Sequence, residues 1–421
     1  MILLVLPVAV HFLLYWITWS EQTPYGRLDQ AVYLLIGCYL AVGVLLTFAP
    51  RVQAKYLLFC YALLFAFVLA EAVLSLLVSQ PSRSAPWPPM HRTTLAADTM
   101  PGVEGNIEFT VSSLGIRGPD ERDFEQSDVR ILCVGGSTTE CLYVTDVDSW
   151  PWRLQTLLSQ QLGKNVFVGN AGRSGQFTPH HTFQIREYDL VSQFDRVVIL
   201  CGINDMVRFL EGSYDRSRER VADEALTTGV EGLVYYRRLR LTEVIRTFFW
   251  QYVDQVGFVQ DESGEWYAKA RSERQTDIQK SGYQPLPERL DKALERYHRD
   301  VTELIAACRQ RGVEPIFVTQ PTLYEADLSP ELESLLWMTK LEPATAASVM
   351  DAFNKTMQAV CESENVPCID ITPLLPQDTT VFYDDCHFNV AGCHKVASIL
   401  SEHLEDELPS DAQHPKKVPA E

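Results

Sequence analysis

The chain is poor in positive charge. It sets 36 lysines and arginines against 55 aspartates and glutamates, a formal net charge of −19 over 421 residues. Nucleic acids and anionic lipid headgroups are bound through basic footprints, so neither is the expected partner of the soluble part. The glycine patterns of phosphate-binding and dinucleotide-binding loops are also missing after the first strand-like run, which argues against a nucleotide site. No internal repeat is present. Cysteine is sparse, with ten in all and eight beyond residue 80. Cys133 and Cys201 lie in apolar runs and read as buried thiols. Cys361 with Cys368, or Cys386 with Cys393, could be bridged in an oxidising compartment.

What the chain has in abundance comes first in it. Residues 2–19, 31–49 and 56–78 are almost unbroken apolar runs, each near the roughly 20 residues needed to cross a bilayer as a helix. The first has neither a basic leading region nor a small-residue cleavage site, which argues against a removed signal peptide. Residues 1–80 hold three basic side chains (Arg27, Arg51, Lys55) and three acidic ones (Glu21, Asp29, Glu71), so the net charge belongs to residues 81–421. Glu71 falls inside the third run, where an ionisable residue is a functional suspect. Protonation is the simpler reading of it. The Arg51–Lys55 loop is placed on the cytosolic side by the positive-inside rule, while Arg83 and Arg92 weaken that count. The expectation is an integral membrane protein whose large domain lies outside the cytosol.

Charge and hydropathy divide the chain into a membrane segment (1–80), a stem or linker (81–111), a catalytic-sized domain (112–405) with an insertion (206–286), and a disordered tail (406–421). Four prolines between Ser79 and Pro89 make the stem stiff rather than folded. Beyond it, apolar runs at Val129–Val134, Val166–Val168, Arg196–Cys201, Glu314–Thr319 and Pro367–Ile371 predict five strands. They alternate with helical patterns at Trp150–Leu162, His181–Gln193, Arg289–Gln310, Val349–Glu364 and Asn389–Leu404, as in an α/β domain with a parallel sheet. The insertion contains an amphipathic stretch, Leu241–Tyr252, which fits either a core helix or a lid facing the membrane.

Candidate chemistry collects at the strand ends. Gly135-Gly136-Ser137-Thr138-Thr139 follows the first strand and leaves the Ser137 hydroxyl uncovered, with its backbone N–H available to a developing oxyanion. Past the second strand stands Asn170-Ala171-Gly172, and past the third Gly202-Ile203-Asn204-Asp205. Gly172 offers a backbone N–H and Asn204 a neutral side-chain donor, so three donors can converge. Taken separately, each block is as readily an ordinary turn. Far downstream is Asp384-Asp385-Cys386-His387. A serine hydroxyl needs a base, which His387 can supply, and a carboxylate three residues back can orient the imidazole. Asp384 and Asp385 both compete for that place. Cys386, His387, Cys393 and His394 are zinc-type ligands within nine positions, but neighbours on a helix diverge, and neither a metal nor a cofactor is expected.

These four blocks, in this order, resemble those of the SGNH, or GDSL-like, serine hydrolases. Ser113-Leu114-Gly115-Ile116-Arg117-Gly118 is similar to the stretch before the first block in many bacterial, envelope-directed members. The resemblance covers about Ser112–Leu404 and departs in one place, Gly-Gly-Ser-Thr standing where the family name has Gly-Asp-Ser-Leu. It implies a flavodoxin-like three-layer α/β/α fold around a parallel five-stranded sheet. It implies Ser137 as nucleophile, His387 as base and Asp384 as its orienting carboxylate, with Ser137, Gly172 and Asn204 as oxyanion donors. Asp385 is then left a structural capping role. The substrate implied is an acyl ester, glycan- or lipid-borne given the membrane segment. With water as acceptor the enzyme is an esterase; with a sugar hydroxyl it is an O-acyltransferase. A membrane scaffold that keeps the shape without the chemistry is the reading from another class, and the full Ser-Asn-Asp-His set argues against it.

Overall fold

The computed structural model describes residues 84–87, 92–96, 100–227, 234–235, 265–405 and 407–408. The three apolar runs, Glu71, the Leu241–Tyr252 stretch and the tail from Pro409 lie outside these. Among the described residues no helix is long and apolar enough to cross a membrane.

Five parallel strands form the central sheet: β1 (Val129–Gly135), β2 (Val166–Asn170), β3 (Arg196–Leu200), β4 (Glu314–Val318) and β5 (Cys368–Ile369), in the order β2-β1-β3-β4-β5. β1 and β2 are near-continuous apolar runs with almost every residue buried, as both faces of a parallel sheet are covered by helices. The covering helices are α1 (Trp150–Leu162), α2 (Thr178–Glu187), α3 (Leu290–Gln310), α4 (Pro343–Glu364) and α5 (Val390–Leu404). α1 packs with α5, while α3 packs with α2 and α4.

Expected and observed elements differ mainly at their ends. α4 starts six residues earlier than periodicity places it, because Pro343 opens it in the first turn, where a missing N–H costs nothing. The predicted helix His181–Gln193 is instead α2 followed by a 3₁₀ turn at Asp189–Gln193. α5 begins on a capped Asn389, whose side chain accepts from Gly392 N at 2.8 Å.

The stem is a correction. Ser84–Ala85 pairs antiparallel with Val234–Tyr235, and Arg92–Ala96 pairs antiparallel with Asn106–Thr110. Trp87 donates its indole N–H to Gly172 O at 3.0 Å and packs edge-on against Phe109 at 5.1 Å. A proline-rich segment therefore docks on the domain through one aromatic anchor, which composition alone disguises.

Register places the site. Gly135 of β1 lies level with Leu200 of β3, and Cys133 level with Asn170 of β2. The residues just past these strands therefore share the carboxyl rim, where open parallel sheets carry their ligands.

Candidate active site

Ser137 opens a one-turn helix, Ser137–Glu140, with Gly136 as its N-cap. A Cβ at Gly136 would lie 2.4 Å from Nδ2 of Asn204, so only glycine lets the amide sit against the nucleophile turn. That amide is 9% exposed and donates to Gln176 O at 2.8 Å, which engages one of its two hydrogens. One turn of helix cannot bind its own last carbonyls, and two buried side chains do so instead. Arg117, 1% exposed, donates through Nη1 to Glu140 O at 2.6 Å and Cys141 O at 2.7 Å, and through Nη2 to Val144 O. Its charge is met by Asp146 at 2.6 Å, which offsets a desolvation cost of several kcal/mol. Asn170 Nδ2 donates to Thr139 O at 2.7 Å.

His387 and Asp384 arrive on a narrow loop after β5. Tyr383 N donates to His387 O at 3.1 Å and closes it. Inside it, Asp384 Oδ1 accepts from the backbone N–H of Cys386 at 3.1 Å and of His387 at 2.9 Å. The same carboxylate lies 2.8 Å from His387 Nδ1, and His387 Nε2 lies 2.6 Å from Ser137 Oγ. Ser137 and His387 are 250 residues apart in sequence.

The electrostatics reflect burial and pairing. Burial by itself would push the His387 imidazole down. The Asp384 charge beside it overrides that and holds His387 well above the ordinary histidine value. Burial likewise works to raise Asp384, but the His387 charge and four donated hydrogen bonds bring it below the usual aspartate value. When the imidazole is neutral, a carboxylate so placed favours the proton on Nδ1 and leaves Nε2 to accept from the serine.

Asp385 points elsewhere. It accepts from Tyr324 OH at 2.8 Å and from the N–H groups of Trp337 at 2.8 Å and Met338 at 3.1 Å. Burial, then the charge of Asp384, pushes it up to about 6. Its contacts are those of a cap on a backbone turn.

Gly172 departs from expectation. Its N–H donates to Asn170 Oδ1 at 2.9 Å and is already taken. A Cβ there would lie 2.3 Å from Glu140 N, so the glycine serves a close backbone approach. The two roles leave the same mark in a sequence. Cys386 and Cys393 are not brought together either: Cys386 Sγ lies 3.5 Å from Met338 Sδ, and Cys393 Sγ 3.8 Å from Cys141 Sγ. All eight described cysteines are free thiols. Burial raises the Cys133 thiol well above its ordinary value; burial, with Asp205 beside it, pushes Cys201 up to about 12. His394 is held by Asp148 at 2.9 Å, so Cys393 and His394 diverge as adjacent helical residues must.

Sequence patterning gives no sign of Trp337. Its Nε1 donates to Asp384 Oδ2 at 2.9 Å, while its backbone N–H holds Asp385. Tyr383 stacks on the His387 ring at 5.5 Å, and Tyr267 approaches it edge-on at 6.3 Å. Tyr267 belongs to the helix Glu265–Ser281 of the insertion. That helix is tied to the site by Arg271 on Tyr383 O at 3.1 Å and by Arg274 on Thr339 O at 2.7 Å.

A nucleophile turn, a histidine and a carboxylate on the rim of such a sheet are a serine-hydrolase arrangement, and residues 133–395 match the GDSL-like Lipase/Acylhydrolase family. The chain belongs to that family. It is a serine esterase of the SGNH type. No curated protein matches it. Among solved structures it is similar to an acetylxylan esterase from Geobacillus stearothermophilus, at 15% identity over 66% of this chain and 94% of that one, with a TM-score of 0.37. It is also similar to an alpha/beta hydrolase enzyme from the metagenome of Lake Arreo, Spain, at 13% identity over 66% and 95%, TM-score 0.37. A G-D-S-L family protein from Desulfitobacterium hafniense shares 11% identity over 65% and 98%, TM-score 0.34.

Proposed function

We propose that this SGNH esterase cleaves carboxylic esters through an acyl-enzyme on Ser137, at or near a membrane. The observation that carries the reading is the continuous chain from Ser137 Oγ through His387 to Asp384, at 2.6 and 2.8 Å. His387 Nε2 takes the hydroxyl proton as Oγ attacks the acyl carbon. The carbonyl oxygen becomes an oxyanion that accepts from the Ser137 N–H and Asn204 Nδ2. Collapse expels the alcohol, which takes the proton back from His387. Water then attacks the acyl-enzyme with the same base, and the free acid leaves. Asp384 remains ionised throughout and stabilises the imidazolium. If a sugar hydroxyl replaces water in the second half, the same groups perform O-acyl transfer. Release of free acid from a defined ester distinguishes hydrolysis from transfer, which yields an acylated glycan instead.

The oxyanion assignment has its own test. Asn204 gains in hydrogen bonding as the carbonyl becomes an oxyanion, and only such gains raise the chemical rate. Asn204→Ala should lower kcat by about 100- to 1,000-fold with KM little changed. Wild-type kcat in a folded variant would return Asn204 to an ordinary turn residue.

The membrane setting rests on the apolar runs within residues 1–80 and the Arg51–Lys55 loop, which together favour an enzyme domain outside the cytosol. Protease added to intact cells should then digest that domain. Protection until lysis would reverse the topology.

A further inference from the structure

Around His387 the fold gathers aromatic rings from separate chain segments. Trp266 and Tyr267 come from the insertion helix, Trp337 from the segment before α4, and Tyr383 from the triad loop. Trp266 lies 3.7 Å from Tyr267, centroid to centroid, and 5.0 Å from Trp337, while Trp337 is parallel to the His387 ring at 6.5 Å. Tyr267 and Tyr383 are 5% and 2% exposed, so their rings are used up in packing. Trp266 is not: 43% of it faces solvent, two ring contacts away from the catalytic histidine. Its Nε1 is turned toward Tyr143 OH, at 3.4 Å.

We infer that Trp266 is a stacking platform for the alcohol side of the substrate, and that this alcohol is a neutral sugar; the inference rests on the esterase reading above. The rings touch one another, so they enclose no gap in which a quaternary ammonium could be caged. What they leave to solvent is part of one indole, that of Trp266, which meets Trp337 edge to face. The C–H face of a pyranose is flat and weakly apolar, matches an indole in size, and leaves its hydroxyl rim to water. The net charge of −19 over the whole chain gives no long-range attraction to an anionic lipid or an acidic sugar. An acyl chain gains most from a closed aliphatic sleeve, whereas Trp266 presents an open aromatic surface with a polar neighbour. The platform is built on a helix pinned by the buried Arg274, so it is held in position before substrate arrives.

The full chain should be assayed by acid release on three esters: the acetate of methyl glucopyranoside, ethyl acetate and ethyl hexanoate. Trp266→Ala should raise KM for the sugar ester about tenfold or more, leave its kcat within about twofold, and leave both ethyl esters unchanged. Trp266→Phe should restore most of the sugar-ester KM. Equal effects on all three esters, no effect at all, or an effect confined to ethyl hexanoate would overturn the platform. Ser137→Ala on the same esters separates the parent reading: if acid release survives in that variant, the esterase assignment fails and this inference with it. If acid release is lost there while Trp266→Ala is silent, only the platform fails.

Discussion

Replacing Ser137 by alanine should lower kcat by about 10⁶-fold on any ester that the wild type cleaves. This is the scale on which loss of a triad nucleophile falls when an oxyanion site and substrate binding remain. No compensation is available locally. The next side chain, Thr138, is turned inward, 1% exposed, with its hydroxyl on Gln320 at 3.2 Å. Ser174 is engaged by Glu140. The fold should survive, since Ser137 Oγ meets only His387 among the hydrogen bonds described, and an unchanged melting temperature would show that the loss is chemical. Turnover within about tenfold of wild type would remove Ser137 from the mechanism.

Asp384→Asn should cost about 10⁴-fold in kcat, because an amide in that place leaves His387 in the wrong tautomer while keeping the geometry. It should also move the pH profile, in a direction that the site dictates. Catalysis requires neutral His387, so the acid limb of kcat/KM reports its pKa in the free enzyme. With Asp384 ionised that pKa stands above the ordinary 6.5, burial notwithstanding. The wild-type limb should therefore lie above the usual histidine range. Removing the charge takes away the largest influence that opposes burial, which disfavours imidazolium, so the limb in Asp384→Asn should shift to lower pH. A limb unmoved by this substitution would mean that another group titrates.

Much of the sheet and of the triad is legible in the amino-acid sequence. The five strands stand out because a parallel sheet buries both faces and so writes continuous apolar runs, such as Val129–Val134. The blocks after them can be aligned on one rim because strand ends in such a sheet converge. Asp384 is separable from Asp385 in the sequence only through the family resemblance; the structure supplies the physical reason, three donors holding Asp385 on Tyr324, Trp337 and Met338. Gly172 misleads because a glycine required for packing cannot be told from one required as a donor. Trp337 and the insertion helix are hidden for a different reason. Their roles arise from contacts 47 residues apart for Trp337 with Asp384 and 112 apart for Arg271 with Tyr383, and no local periodicity encodes those. Trp87 is concealed within a proline-rich stretch for the same cause, its partners lying in Phe109, Gly172 and Arg173.

The central claim is that one serine of this chain is an activated nucleophile. The direct measurement is to treat the full-length protein with a fluorophosphonate and map the adduct by peptide mass spectrometry. A single adduct on Ser137, absent from Ser137→Ala and slowed in Asp384→Asn, is the expected result. An adduct on another residue, or labelling of Ser137→Ala at the wild-type level, would contradict the account.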